Sequence, residues 1–174
     1  ASQGLALMHE MLYIASGLRC PIVMGVANRA LSAPINIHGD HSDMMGSRDS
    51  GWVQIYAENA QEAYDWTLMA FKIAEDKSVQ LPVSVNLDGF IISHCMEGVD
   101  VLEDAVVDKF LQLRKPLFTV DPDKPITFGA LCFTDYYFEF KRQQVEAMRN
   151  VRGVLGKVCE EYRGVSGRNY SALE

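Results

Sequence analysis

The sequence lacks any excess of basic residues. Its 16 lysines and arginines are outnumbered by 23 aspartates and glutamates, which gives a formal net charge of -7. A nucleic-acid interface needs clustered cations that neutralise phosphates. The composition therefore predicts a protein that does not bind nucleic acid.

Long hydrophobic runs and paired cysteine motifs are also missing. No apolar stretch reaches the roughly 18 to 20 residues that span a bilayer, and no basic secretory n-region opens the chain. The four cysteines show no C-x-x-C spacing: Cys20, Cys95, Cys132 and Cys159. Neither a zinc site nor an iron-sulfur cluster is therefore expected within this chain, and reduced thiols are favoured over disulfides. Together these absences predict a cytoplasmic protein with no membrane span.

Short apolar runs alternate with amphipathic stretches over the first two thirds of the chain. The runs typical of strands buried on both faces are 21–27, 52–57 and 81–87. The stretches typical of helices are 5–17, 59–75 and 101–113. This alternation predicts a three-layer α/β domain with a largely parallel sheet over residues 1–113. Because the first helix follows no strand, we expect the domain to be incomplete at its N-terminus.

The composition changes at residue 114. Prolines punctuate residues 114–136, which predicts a linker rather than a central strand. Apolar residues then recur every three to five positions from Tyr137 to Tyr162, before Gly164 and Gly167. This pattern is typical of a long amphipathic helix. Residues 114–174 are therefore predicted to be a Pro-rich linker and a long C-terminal helix.

A long polar stretch, residues 28–50, follows the first predicted strand. In open parallel sheets, ligands bind beyond the carboxyl ends of the strands, where this stretch begins. Arg29 lies at that point, and its planar guanidinium suits a bidentate contact with a carboxylate. A salt bridge to Asp40 or Asp43 is the alternative. The group at residues 38–43 is a weak metal motif, and it fits either a structural loop network or a place beside an active site.

Two shorter polar groups carry weaker signals. Residues 2–4, Ser-Gln-Gly, lie at the turn before the first predicted helix, where an N-cap is favoured over an anion site. His94 and Cys95 are adjacent and could suggest a thiol nucleophile. Adjacent strand residues point to opposite faces, however, and no positioned acid is evident. Catalysis by this pair is therefore not expected.

Several blocks resemble the α subunit of 2-oxoacid:ferredoxin oxidoreductases of the pyruvate synthase type. The four main blocks are SQGLALM at 2–8, NRALSAPINI at 28–37, GDHSD at 39–43 and RDSGW at 48–52. Further similarity is found at 56–63, 88–94, 135–139 and 141–144. The resemblance thus covers nearly the whole chain, with the blocks in the family's order.

The resemblance implies the later part of the pyrimidine-binding domain of a thiamine-diphosphate enzyme. Such enzymes oxidatively decarboxylate a 2-oxoacid with coenzyme A, and iron-sulfur clusters on other chains or domains pass electrons to ferredoxin. The reverse reaction fixes carbon dioxide. Pyruvate is the expected substrate, with oxalate or a branched 2-oxoacid as alternatives. Thiamine diphosphate with Mg²⁺ would lie between domains or subunits.

By position, Arg29 resembles the family arginine that binds the substrate carboxylate. Asn28, Asp40, His41 and Asp43 match the neighbouring blocks, and we expect them beside the active site without an assigned chemical step. The family's aminopyrimidine-binding glutamate and its Gly-Asp-Gly diphosphate motif are not found in the sequence. No catalytic residue or metal ligand is therefore expected here, and the chain alone should be inactive. A noncatalytic interaction module of a larger complex is the alternative.

Overall fold

The structure, a computed structural model, describes residues 1–129 and 131–172. Its sheet consists of three parallel strands, β1 (Val23–Asn28), β2 (Val53–Ala57) and β3 (Val83–Asp88). Their spatial order is β1-β3-β2, and the register places Asn28 level with Asp88. All three strands therefore end at one edge of the sheet. The predicted parallel sheet is confirmed, with each strand within two residues of its expected bounds.

One face of the sheet is covered by α4 (Ala60–Glu75). Asn59 caps the start of this helix, because its side chain accepts a hydrogen bond from the Glu62 amide at 2.9 Å. Glu62 Oε2 in turn accepts from the amide of Glu58 at 2.9 Å, one residue before the partner of a standard capping box. The buried side of α4 packs on the apolar face of β2 and β3 through Trp66, Met69, Ala70 and Ile73.

Three short helices lie over the other face: α1 (Ser2–Leu7), α2 (His9–Gly17) and α3 (Ser42–Met45). The single helix expected over 5–17 is interrupted at Met8, whose φ of -94° and ψ of 14° are not helical. A small buried cluster joins these helices to the sheet through Leu5, Leu12, Met44 and Trp52. The sheet side chains on this face are mostly polar. The alternation of faces along a strand places Gln54, Tyr56, Ser84 and Asn86 here.

Two further helices complete the fold, α5 (Asp104–Leu111) and α6 (Tyr137–Ser166). The predicted long helix is confirmed, and it ends at Gly167, whose φ of +74° is the left-handed conformation that glycine adopts without strain. α6 packs on α4 through its second half, with Val151, Val154, Val158 and Tyr162 buried. The aromatic residues of its first turns are exposed. In the described ranges, no helix is both long and apolar enough to cross a membrane. The division at residue 113 stays a prediction.

Candidate functional site

The carboxyl ends of β1 and β3 approach each other closely. A Cβ added to Gly89, the residue after β3, would lie 2.1 Å from the carbonyl oxygen of Asn28. No side chain fits at such a distance, so only glycine lets β3 leave the sheet against the end of β1. This close approach fixes where the chain at Asn28 and Arg29 leaves the sheet.

Asp43 joins three separate segments at this edge. Its side chain is buried, and Oδ2 accepts hydrogen bonds from the backbone amides of Ser2 at 2.8 Å and Arg29 at 3.2 Å. Oδ1 accepts from Asn28 Nδ2 at 2.9 Å and from the backbone amide of Met44 at 2.8 Å. A buried carboxylate needs several donors to offset its lost hydration. Asp43 therefore holds the start of α1, the end of β1 and α3 together.

The guanidinium of Arg29 has no carboxylate partner among the residues that the structure describes. The salt bridge to Asp40 or Asp43 weighed from the sequence is therefore wrong, since Asp43 binds the Arg29 backbone instead. Arg29 Nη2 donates to Gln3 Oε1, and Arg29 Nε is buried without a hydrogen-bond partner in the described part of the chain. A buried unmet donor costs about 1 to 3 kcal/mol. Arg29 thus has no charge partner among the described residues, and its Nε donor is buried and unsatisfied.

Asn28 lies beside Arg29 and is almost fully buried. Besides its bond to Asp43, Asn28 Nδ2 is 3.4 Å from Asn86 Oδ1, so the amide bridges the ends of β1 and β3. Asn28 Oδ1 is a second buried polar atom without a partner in the residues described. Asn28 Oδ1 and Arg29 Nε are thus two buried polar atoms on consecutive residues. The hydrogen bonding at this polar edge of the sheet is therefore incomplete within the described residues.

Asp40 and His41 lie on the outer side of the same loop. Asp40 Oδ1 accepts from the Ser42 amide at 2.7 Å, and the side-chain and backbone hydrogen bonds of Ser42 lower the pKa of Asp40. The ring of His41 packs edge-on against Tyr56, with 5.1 Å between ring centroids. Burial, and then the charge of Asp43, raises the pKa of Tyr56. The structure thus brings Asn28, Arg29 and Asp43 together, whereas Asp40 and His41 make no described contact with the guanidinium.

Ser2 and Gln3 contribute more to this site than the sequence indicated. The N-cap expected within residues 2–4 is wrong, because α1 already begins at Ser2 and has no side-chain cap. Ser2 Oγ donates instead to the carbonyl of Ala30 at 2.9 Å. Gln3 contacts the Arg29 guanidinium, which no helix periodicity could predict. The only available signal was the family-like block at residues 2–8.

A group of aromatic and histidine rings lies next to the site. It contains His94, which does not pair with Cys95 as a thiol nucleophile would require. Phe90 stacks on His94 at 4.1 Å between ring centroids and lies 5.3 Å from the ring of His38. Ser93 Oγ lies 2.8 Å from His94 Nδ1, so Ser93 rather than Cys95 is the hydrogen-bond partner of this histidine. Across the described ranges, no group of three or more His, Cys, Asp or Glu side chains is placed to hold a metal ion.

Fold and site together define an α/β domain with an arginine at the carboxyl edge of a parallel sheet, and this arginine has no carboxylate partner among the described residues. Residues 1–160 match the family model described as "Pyruvate flavodoxin/ferredoxin oxidoreductase, thiamine diP-bdg". The chain belongs to this family, which confirms the resemblance noted in the sequence.

Individual relatives agree with the family match. The pyruvate synthase subunit PorA of Thermotoga maritima is 54% identical over 175 residues, which cover 100% of this chain and 45% of the relative. The same subunit of Pyrococcus abyssi is 50% identical, again over 100% of this chain and 44% of the relative. The ketoisovalerate oxidoreductase subunit VorA of Pyrococcus horikoshii is 44% identical over 99% of this chain and 44% of the relative. The chain thus spans somewhat less than half the length of these curated relatives.

Proposed function

We propose that this chain is part of the α subunit of a thiamine-diphosphate-dependent 2-oxoacid:ferredoxin oxidoreductase. The complete enzyme would oxidatively decarboxylate pyruvate with coenzyme A and ferredoxin, or synthesise pyruvate in the reverse direction. Family membership and the PorA relatives support this assignment. The observation that carries it is the Arg29 guanidinium, which lies at the ligand-binding edge of the sheet with no carboxylate partner in the described residues.

We assign to Arg29 the binding of the substrate carboxylate, and its surroundings support this role. A 2-oxoacid carries a carboxylate next to the keto carbon, and a guanidinium fork binds a carboxylate through two parallel hydrogen bonds. That contact fixes the position and the rotation of the substrate, which brings the keto carbon to a defined place. Asp43 holds the backbone of Arg29, so the base of this side chain is anchored before substrate arrives.

The residues of this chain fit the substrate end of the site and not the diphosphate end. Thiamine diphosphate, when bound, supplies the thiazolium carbon that attacks the keto carbon. The Mg²⁺ that accompanies a diphosphate prefers carboxylate and carbonyl oxygens, and no cluster of acids suited to a metal is found among the described residues. We assign Mg²⁺, the diphosphate and the iron-sulfur clusters to other domains or chains, because neither a Gly-Asp-Gly diphosphate motif nor a C-x-x-C spacing is found in this sequence. No catalytic group is assigned to this chain.

Pyruvate is favoured over other 2-oxoacids by the relatives. The PorA subunits are 54% and 50% identical to this chain, whereas the VorA subunit is 44% identical. The VorA match keeps a branched 2-oxoacid as a second candidate substrate, and oxalate is a third. None of the four cysteines, all of which are described, forms a disulfide, which fits the proposed action in the cytoplasm.

A noncatalytic interaction module is the competing function. The observation behind it is a set of exposed apolar residues along the linker and the start of α6, among them Phe118, Val120, Phe133 and Phe138. Exposed apolar surface of this kind marks contact with other parts of an assembly. The same surface also suits an oxidoreductase subunit, so it does not by itself favour the module.

The test is to purify the native assembly that contains this chain. We would measure its visible absorbance, its thiamine content and its reduction of a low-potential dye with coenzyme A and each candidate 2-oxoacid. Brown, thiamine-containing material that reduces the dye with pyruvate supports the proposal. Dye reduction with 3-methyl-2-oxobutanoate alone would reassign the substrate. A colourless assembly with neither cofactor would leave the interaction module as the function.

A further inference from the structure

The Arg29 side chain has a single hydrogen-bond acceptor in the described structure, the carboxamide oxygen of Gln3. Gln3 is a neutral residue, so this contact leaves the positive charge of the guanidinium uncompensated. A carboxylate at the same position would have formed an ion pair and competed with an incoming anion. The choice of an amide next to Arg29 therefore keeps the site attractive to a negatively charged ligand.

The orientation of the Gln3 amide is fixed by the chemistry of its partner. A guanidinium contains only donors, so the atom that faces Arg29 Nη2 must be the carboxamide oxygen. The amide nitrogen of Gln3, with its two N–H donors, is consequently turned away from Nη2. Gln3 is exposed, and this nitrogen has no acceptor among residues 1–129 and 131–172. Gln3 Nε2 and Arg29 Nε are therefore both donors without an acceptor in the described residues, on two side chains that contact each other.

The two residues are held next to each other through their backbones. The amide of Ser2, which precedes Gln3, and the amide of Arg29 both donate to Asp43 Oδ2, at 2.8 and 3.2 Å. Ser2 Oγ also donates to the carbonyl of Ala30, which follows Arg29, at 2.9 Å. The contact between Gln3 and Arg29 is thus anchored by buried hydrogen bonds on both sides. Contacts between two unanchored surface side chains lack this preorganisation.

We propose that Gln3 is a second substrate-contacting residue, whose carboxamide Nε2 donates a hydrogen bond to the carboxylate that Arg29 binds. A carboxylate has two oxygens with about four acceptor positions, so it can take a guanidinium and an amide donor together. Three donors around one carboxylate restrict its rotation more than the fork alone. This inference rests on the proposed function, since it takes the ligand of Arg29 to be a 2-oxoacid.

The test uses the assembled oxidoreductase with Gln3→Ala and Gln3→Glu, assayed by dye reduction with varied pyruvate and varied coenzyme A. Removing one hydrogen bond to a charged group should raise the KM for pyruvate about tenfold in Gln3→Ala. Gln3→Glu should raise it further, because the new carboxylate pairs with Arg29 and repels the substrate. The KM for coenzyme A and the thiamine content should not change in either variant. Gln112→Glu, the same chemical change at an exposed position at the end of α5, serves as the matched control.

Two outcomes would overturn this inference while leaving the role of Arg29 intact. One is an unchanged KM for pyruvate in both Gln3 variants, with a raised KM in Arg29→Lys. The other is an equal rise in the KM values for pyruvate and coenzyme A, or a loss of thiamine, which would indicate a structural role for Gln3. An unchanged KM for pyruvate in Arg29→Lys would instead refute carboxylate binding by Arg29, on which the inference also depends. An assembly that reduces no dye with any candidate 2-oxoacid would refute the proposed function itself.

Discussion

Replacing Asp65 with asparagine should weaken the attachment of the C-terminal segment to α4 and lower the stability of the fold. Asp65 lies on α4, is fully buried, and accepts five hydrogen bonds. Oδ1 accepts from Tyr162 Oη at 2.5 Å, Arg168 Nη2 at 2.9 Å and Gln61 Nε2 at 3.0 Å. Oδ2 accepts from Arg168 Nε and from Tyr170 Oη, both at 2.6 Å. One carboxylate thus joins α4 to the last turns of α6 and to the chain that follows.

The expected loss can be bounded from this geometry. Removing one charge of a buried, hydrogen-bonded pair costs about 3 to 5 kcal/mol, because the other charge stays behind without compensation. The Arg168 side chain is 21% exposed, so water partly replaces the lost partner. The asparagine carbonyl also keeps the acceptor role of one oxygen. We therefore expect Asp65→Asn to lower the free energy of unfolding by about 3 kcal/mol.

The same arginine supplies the control. Arg168 Nη1 is 3.5 Å from Asp100 Oδ2, but the Asp100 side chain is 92% exposed. Exposed ion pairs contribute at most about 1 kcal/mol, so Asp100→Asn should change stability little. Urea unfolding followed by circular dichroism measures both variants. Equal losses in Asp65→Asn and Asp100→Asn would show that burial of the Asp65 carboxylate does not set its contribution.

Two other predictions concern pH and packing. Burial, and then the hydrogen bond to Asp65, raises the pKa of Tyr162 and of Tyr170. The unfolded chain therefore loses the two phenolic protons at a lower pH than the folded chain. The free energy of unfolding should fall above pH ~10 by about 1.4 kcal/mol per pH unit for each tyrosine. Tyr170→Phe should reduce that slope in alkaline urea titrations, and an unchanged slope would contradict the assignment. Gly89→Ala should cost about 1 to 3 kcal/mol in thermal or urea unfolding, because its Cβ meets a backbone oxygen. Gly153→Ala, with open space inside α6, should instead stabilise by about 0.5 to 1 kcal/mol, and a reversed order would refute the packing argument.

The sheet and α6 were predictable, because the sequence patterns that indicate them are local. Continuous apolar runs mark the strands of a parallel sheet, although only β3 is buried on both faces over most of its length. The cap at Asn59 and the glycine at Gly167 mark helix ends. The break at Met8 was not predictable in the same way. The residues on both sides of Met8 keep a helical apolar spacing, so the sequence pattern gives no signal for the interruption.

The candidate site was predictable in its position but not in its connections. Arg29 was expected at the end of β1, where a parallel sheet binds ligands. Its partners come from residues far along the chain, and the donors to Asp43 are mostly backbone amides, which every sequence contains. The Asp65 network has the same character, since Asp65 and Arg168 are 103 residues apart. Such connections depend on the tertiary fold, which periodicity and short motifs do not specify.

The most direct test of the account is the KM for pyruvate of the assembled oxidoreductase carrying Arg29→Lys. Lysine keeps the charge but loses the planar fork and the contact geometry with Gln3. We predict a rise of about a hundredfold in the KM for pyruvate, with an unchanged KM for coenzyme A and normal thiamine content. Arg152→Lys, at an exposed position of α6, should leave all three quantities unchanged. If Arg29→Lys leaves the KM for pyruvate equal to that of the unmodified enzyme, Arg29 does not bind the substrate carboxylate and the account is contradicted.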